Sequence, residues 1–122
     1  MTEILVEHFT DPLSGTCWSL QPTIRRLQYR FDTEWVPRYL IAFPADTSPP
    51  LEDWQRQAHR SGMPFNTDDW PNTINSRPAC EIAALVRDRH PSSSLQFLRE
   101  IRERAFVDGS PPINEEQIHS LV

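Results

Sequence analysis

Lysine is absent from this sequence; all 12 basic residues are arginines. A Walker-type phosphate loop, a Schiff-base site and pyridoxal-phosphate chemistry each need a lysine amine, so none of the three is expected. Glycine is nearly as scarce, with 3 residues against 12 prolines. Few positions can then take positive φ, which disfavours phosphate-cradling glycine loops and hairpin-rich β folds. Two cysteines, Cys17 and Cys80, are too few and too far apart for a disulfide scaffold. Four scattered histidines (His8, His59, His90 and His119) show no zinc-ligand spacing, and no metal is expected.

Long apolar runs are missing too. None approaches the ~20 residues needed to span a bilayer. The start, MTEILVE, is acidic where a secretory leader needs basic residues. A cytoplasmic location is the expectation. The net charge of −5 argues against nucleic acid and anionic membrane as partners, since both need clustered positive charge.

What remains is the composition of one globular domain, 38% hydrophobic and 24% charged over 122 residues. Ile4 to Phe9 is short, continuous and apolar, as expected of a strand covered on both faces. From Gly15 to Phe31, Leu20, Ile24, Leu27 and Phe31 recur at helical spacing, and Pro22 predicts a kink after the first turn. Trp35 to Phe43 reads as a second strand with Pro37 near its start, giving a βαβ unit with a right-handed crossover. Beyond it only helices are predicted. One runs over Leu51 to Arg60, and one follows Ser76 as a cap with Pro78 in its first turn. Another reaches Phe106 on an apolar stripe of Leu98, Ile101 and Ala105. The last is capped by Asn114 with Gln117 and buries Ile118 and Leu121. Within the third, REIRER (Arg99 to Arg104) reads as a solvated face of i,i+4 pairs.

Chemistry points to the joint between the first strand and the first helix, FTDPLSGTCWSLQP. A helix start gathers unpaired N–H groups and partial positive charge, and a cysteine in that first turn has its thiolate stabilised. Ser14 as the cap would lie beside Cys17, with Leu13 and Trp18 as apolar walls. The same spacing also fits a cap followed by an ordinary buried cysteine.

The stretch FTDPLSGTCWSLQPTIRRL resembles the active-site segment of the DsbA family, in particular its FrnE-like branch, where the pattern is F-T-D-P-L-C-x-W-C-W-x-x-x-P-x-L-R-x-L. Phe9, Thr10, Asp11, Pro12, Leu13, Cys17, Trp18, Pro22, Arg26 and Leu27 match it. HRSGMPFNTDDW and RPACEIAALV are similar to the helical insertion of that branch. The resemblance implies an α/β thioredoxin-like βαβ unit over 1–46 and an all-helical insertion over 47–122, lacking the C-terminal antiparallel strand pair and its cis-proline loop. It implies thiol-disulfide exchange, with Cys17 and Ser14 as the catalytic positions and Pro12, Leu13, Thr16 and Trp18 as substrate contacts.

Protein thiols or glutathione are the implied partners, glutathione as co-substrate and no resident cofactor. A second copy, or a second chain, would complete the sheet. The attacking cysteine of the family is Ser14 here, so a dithiol cycle inside the motif is excluded. A Cys17–Cys80 pair would need Cα atoms within about 6 Å. Two other readings stay open. Kappa-type glutathione transferases and related isomerases place a serine where Ser14 stands, to hold a glutathione thiolate. Relatives of the FrnE-like branch also include adaptors that bind a protein client, for which Trp54, Phe65 and Trp70 are candidate anchors or core.

Overall fold

A computed structural model describes residues 4–121. Met1, Thr2, Glu3 and Val122, the outer ends of the two predicted regions and of the acidic start, lie outside the described residues. Strand β1 (Ile4–Thr10) pairs in parallel with β2 (Thr33–Tyr39), in register from Ile4 opposite Thr33 to Thr10 opposite Tyr39. Helices α1 (Gly15–Ser19) and α2 (Gln21–Arg30) connect them. The remaining helices are α3 (Leu51–Ser61), α4 (Arg77–Arg89), α5 (Ser94–Phe106) and α6 (Glu115–His119), with a 3₁₀ turn at Pro91–Ser93 leading into α5. The fold is thioredoxin-like α/β. Among the described residues no helix is long and apolar enough to cross a membrane.

Local chemistry explains where elements stop. Pro22 has no N–H to give the preceding turn, and the predicted kink is a full break at Leu20 between α1 and α2. Strand β2 starts at Thr33 and ends at Tyr39, earlier than the expected Phe43. Gly62 ends α3 in the left-handed region at φ 73°, where a glycine has no Cβ penalty. Asn114 caps α6 as expected, its side chain accepting the Gln117 N–H at 2.8 Å. Ser76 precedes α4 but makes no side-chain cap bond; its hydroxyl is used elsewhere.

The core is aromatic and centres on Phe106, at the end of α5. Trp18 and Phe65 stack on it at ring-centroid distances of 5.7 Å each, and Trp70 lies 5.2 Å away. Trp54 meets Phe43, Trp70 and Phe106 edge to face. Trp54 and Trp70 are therefore core residues, and Phe65 is packed against them.

The sheet is covered on one side. Val6, His8 and Thr10 alternate inward with Trp35, Pro37 and Tyr39, as a period of two requires. On the other face Leu5 and Phe9 are each 59% exposed. The expectation of a strand buried on both faces fails for this reason. A continuous apolar run does not show how many faces are covered; that is set by what packs there. The stripe on α2 fares the same way: none of its residues is fully buried, and Leu27 and Phe31 are exposed.

Candidate functional site

The loop from β1 to α1 is held by one carboxylate. Asp11 accepts the N–H groups of Leu13 at 2.8 Å and Ala42 at 2.9 Å, and the Ser76 hydroxyl at 2.5 Å. It thus ties the turn after β1 to the segment after β2 and to the start of α4. Burial raises the Asp11 carboxyl above its usual value, against the pull of those three hydrogen bonds and of Arg102.

Ser14 sits at the N-cap of α1 in extended backbone, and its Oγ accepts the Cys17 N–H at 3.3 Å. This brings Ser14 and Cys17 together as the sequence predicts. Cys17 is half-buried, whereas Ser14 is only 8% exposed. Next to Cys17, Trp18 turns inward. Its indole N–H donates to the Pro64 carbonyl at 2.7 Å, and its ring stacks on Phe106. Gly15 lies so close to Trp54 that a Cβ there would sit 2.4 Å from the indole ring. Thr16 faces outward and donates to Gln57 Oε1 at 2.8 Å. Beside it runs an open groove of about 560 Å³ lined by Thr16, Leu20, Arg26, Gln57 and Arg60.

Of the six residues expected at this site, Pro12, Leu13, Ser14 and Trp18 are buried. Thr16 and Cys17 are the two with surface to offer a partner. The helix start is thereby a clamp against the helical region as much as a reactive turn.

Two further residues enter the site that the sequence did not single out for it. Arg102, within REIRER, is 3% exposed and does not lie on a solvated face. Its Nη2 donates to Thr10 Oγ1 at 2.5 Å and to the Asp11 carbonyl at 3.4 Å. Burial lowers its guanidinium below the usual arginine value, against the opposing pull of Cys17, Tyr39 and Asp11 nearby. The second residue is Ser76, which gives its hydroxyl to Asp11 rather than to the start of α4. Arg102 had a signal: it follows Ile101 and lies four residues after Leu98, on the predicted apolar stripe. Ser76 had none, since its partner is 65 residues away.

Both cysteines are free thiols. Cys80 is buried, its S–H directed at the Leu40 carbonyl 3.5 Å away. Its thiol is pushed up to about 12, chiefly by burial and then by the charge of Asp11. Such a thiol stays protonated and inert through the physiological range. The chemistry available is therefore that of a single thiol, Cys17, on a capped turn beside a buried guanidinium. Ser14 contributes no sulfur.

Proteins with this architecture give the site its context. No family model matches the sequence. The chain superposes on a structure from Nitrosomonas europaea, assigned provisionally as a protein disulfide isomerase, with a TM-score of 0.77 and 17% identity, covering 98% of this chain and 63% of that one. It superposes equally well on the cytosolic disulfide reductase DsbM from Pseudomonas aeruginosa, solved with GSH, with a TM-score of 0.78 and 16% identity, covering 97% and 63%. These likenesses establish the thioredoxin-like fold.

In sequence it is similar to proteins named as adapters. It is 31% identical over 110 residues to the ClpXP adapter protein SpxH of Bacillus subtilis, covering 81% of this chain and 37% of that protein. It is 26% identical over 117 residues to the SpxH of Halalkalibacterium halodurans, covering 82% and 38%. The chain thus spans about two-fifths of the length of the curated relatives it matches.

Proposed function

We propose that this chain carries a one-thiol exchange site of DsbA-like, FrnE-like ancestry, in which Cys17 forms mixed disulfides with protein thiols or glutathione. The observation that supports this most is the pairing at the start of α1. Ser14 caps the turn and accepts the Cys17 N–H, so the turn keeps the form of an active-site segment with one thiol left. The Cys17 thiolate attacks one sulfur of a partner disulfide. The partner's S–S bond breaks, a Cys17–partner disulfide forms, and the other sulfur leaves as thiolate. A second thiol, glutathione or a cysteine of the client, then attacks the partner's sulfur and releases Cys17. In sum the second thiol takes the place of the departed sulfur: one disulfide is exchanged for another, one thiol is consumed and one released, and the protein returns unchanged.

The test is reduction of a glutathionylated peptide with reduced glutathione as second thiol. Cys17→Ala is expected to abolish turnover and Cys80→Ala to leave it. Ser14→Cys should permit a disulfide within the turn and bring turnover of ordinary disulfides. Turnover surviving Cys17→Ala would overturn the reading.

A second reading, a protein-binding adapter without turnover, is favoured by the names of the sequence relatives. It expects client capture unchanged in Cys17→Ala. Use of Ser14 as a glutathione-thiolate donor has less support, since that hydroxyl is buried.

A further inference from the structure

A cavity of about 200 Å³ lies between α2, α5 and the covered face of the sheet. Arg25, Arg99 and Arg102 line it together with His8, Trp18, Trp35 and three glutamines, and among the described residues no carboxylate does. In a chain of net charge −5 this is a concentrated basic wall. Its arginines are not equally compensated. Arg99 is paired with Glu103 at 2.8 Å. Arg25 and Arg102 have no carboxylate partner among the described residues.

Arg102 is the informative one. An exposed arginine without a partner is solvated and means little. A buried guanidinium is costly unless its charge is met; here its hydrogen-bond acceptors are a neutral hydroxyl and a neutral carbonyl, and the Asp11 carboxyl is near but forms no ion pair with it. Its Nε has no acceptor at all among the described residues. His8, on the same wall, is pushed below the usual histidine value by burial and then by the charge of Arg102. A buried guanidinium with an unused N–H thus lines a cavity that has no carboxylate among its described lining residues, which is the arrangement an anion relieves.

We propose that this cavity binds a small oxyanion, a carboxylate or a phosphate, held by Arg25, Arg99 and Arg102 with Trp18 and Trp35 as walls. Guanidinium groups suit both chemistries because their N–H forks match paired oxygens. The volume is below the roughly 300–1,000 Å³ of drug-sized pockets, so the ligand is small. The proposal does not depend on what Cys17 does.

The test uses the full chain and two probes, inorganic phosphate and citrate, titrated at constant ionic strength with chloride as control. Indole and imidazole resonances of Trp18, Trp35 and His8 report the site. Expected are saturable shifts at these residues with at least one probe, weakened at least tenfold in an Arg25→Gln, Arg99→Gln double variant. Both arginines are exposed, so that variant should fold even where Arg102→Met does not. Phosphate acting alone would identify a phosphate ligand, and citrate alone a carboxylate. The proposal is overturned if neither probe saturates, if chloride gives the same shifts, or if the double variant binds as tightly as the parent chain.

Discussion

The two halves of the molecule bury their apolar residues very differently. In the helical region after β2, Trp54, Trp70, Ile74, Phe97, Ile101, Phe106 and Ile118 are all buried in one cluster. In the βαβ unit, Leu5, Phe9, Leu27, Phe31 and Leu40 stay exposed. Yet the candidate site belongs to the poorly buried half. What orders it is contact with the other half: Asp11 to Ser76, Gly15 against Trp54, Trp18 on Phe106 and Arg102 on Thr10. The turn carrying Cys17 is fixed by the helices rather than by the sheet.

Breaking that clamp should have the largest effect. Gly15→Ala forces a methyl group into the Trp54 ring, and the expected loss is at the upper end of the roughly 1–3 kcal/mol that overpacking costs. Chemical denaturation should show this loss together with faster alkylation of Cys17. Asp11→Ala should come next. It leaves two N–H groups and the Ser76 hydroxyl without their acceptor, at about 1–3 kcal/mol for a buried group so abandoned. Ser76→Ala should cost less, about 1 kcal/mol, and should leave α4 intact because Ser76 gives it no cap bond. A denaturation midpoint unchanged in Asp11→Ala would contradict the clamp.

Cys80 supplies a pH test between the halves. Its folded value, about 12, lies above the ordinary thiol value of 9.0. The unfolded chain therefore loses this proton first as pH rises. Stability contributed by the protonated thiol is full below pH 9 and falls between about 9 and 12. Denaturation midpoints should decline over that window, and the decline should flatten in Cys80→Ala. At the small end, Thr16→Ala removes an exposed hydrogen bond to Gln57 and should cost about 0.5 kcal/mol or less.

The helical region was the more legible half because its signals are local. Pro78, Gly62 and the Asn114–Gln117 cap mark element ends through their own backbone chemistry, and Leu98, Ile101 and Ala105 mark a buried face by their spacing. The same spacing misled on α2, whose stripe of Leu20, Ile24, Leu27 and Phe31 is partly or wholly exposed. Periodicity shows which face is apolar but not whether anything covers it. At the site, the Ser14–Cys17 pairing could be read from a capping pattern three residues long. Asp11, Ser76 and Arg102 could not be assembled the same way. Their contacts join residues 31 to 92 positions apart, and no local pattern records such pairs. Arg102 was hidden further by its neighbours: Arg99 and Glu103 do form the exposed ion pair that REIRER suggests.

The most direct measurement is reaction of the folded chain with oxidised glutathione at neutral pH, followed by intact mass and mapping of the modified residue. Expected is one added glutathione, on Cys17, with Cys80 untouched until the protein is unfolded. Modification of Cys80 in the folded chain, or a Cys17 that stays unmodified while it remains accessible to alkylation, would contradict Cys17 as the single working thiol.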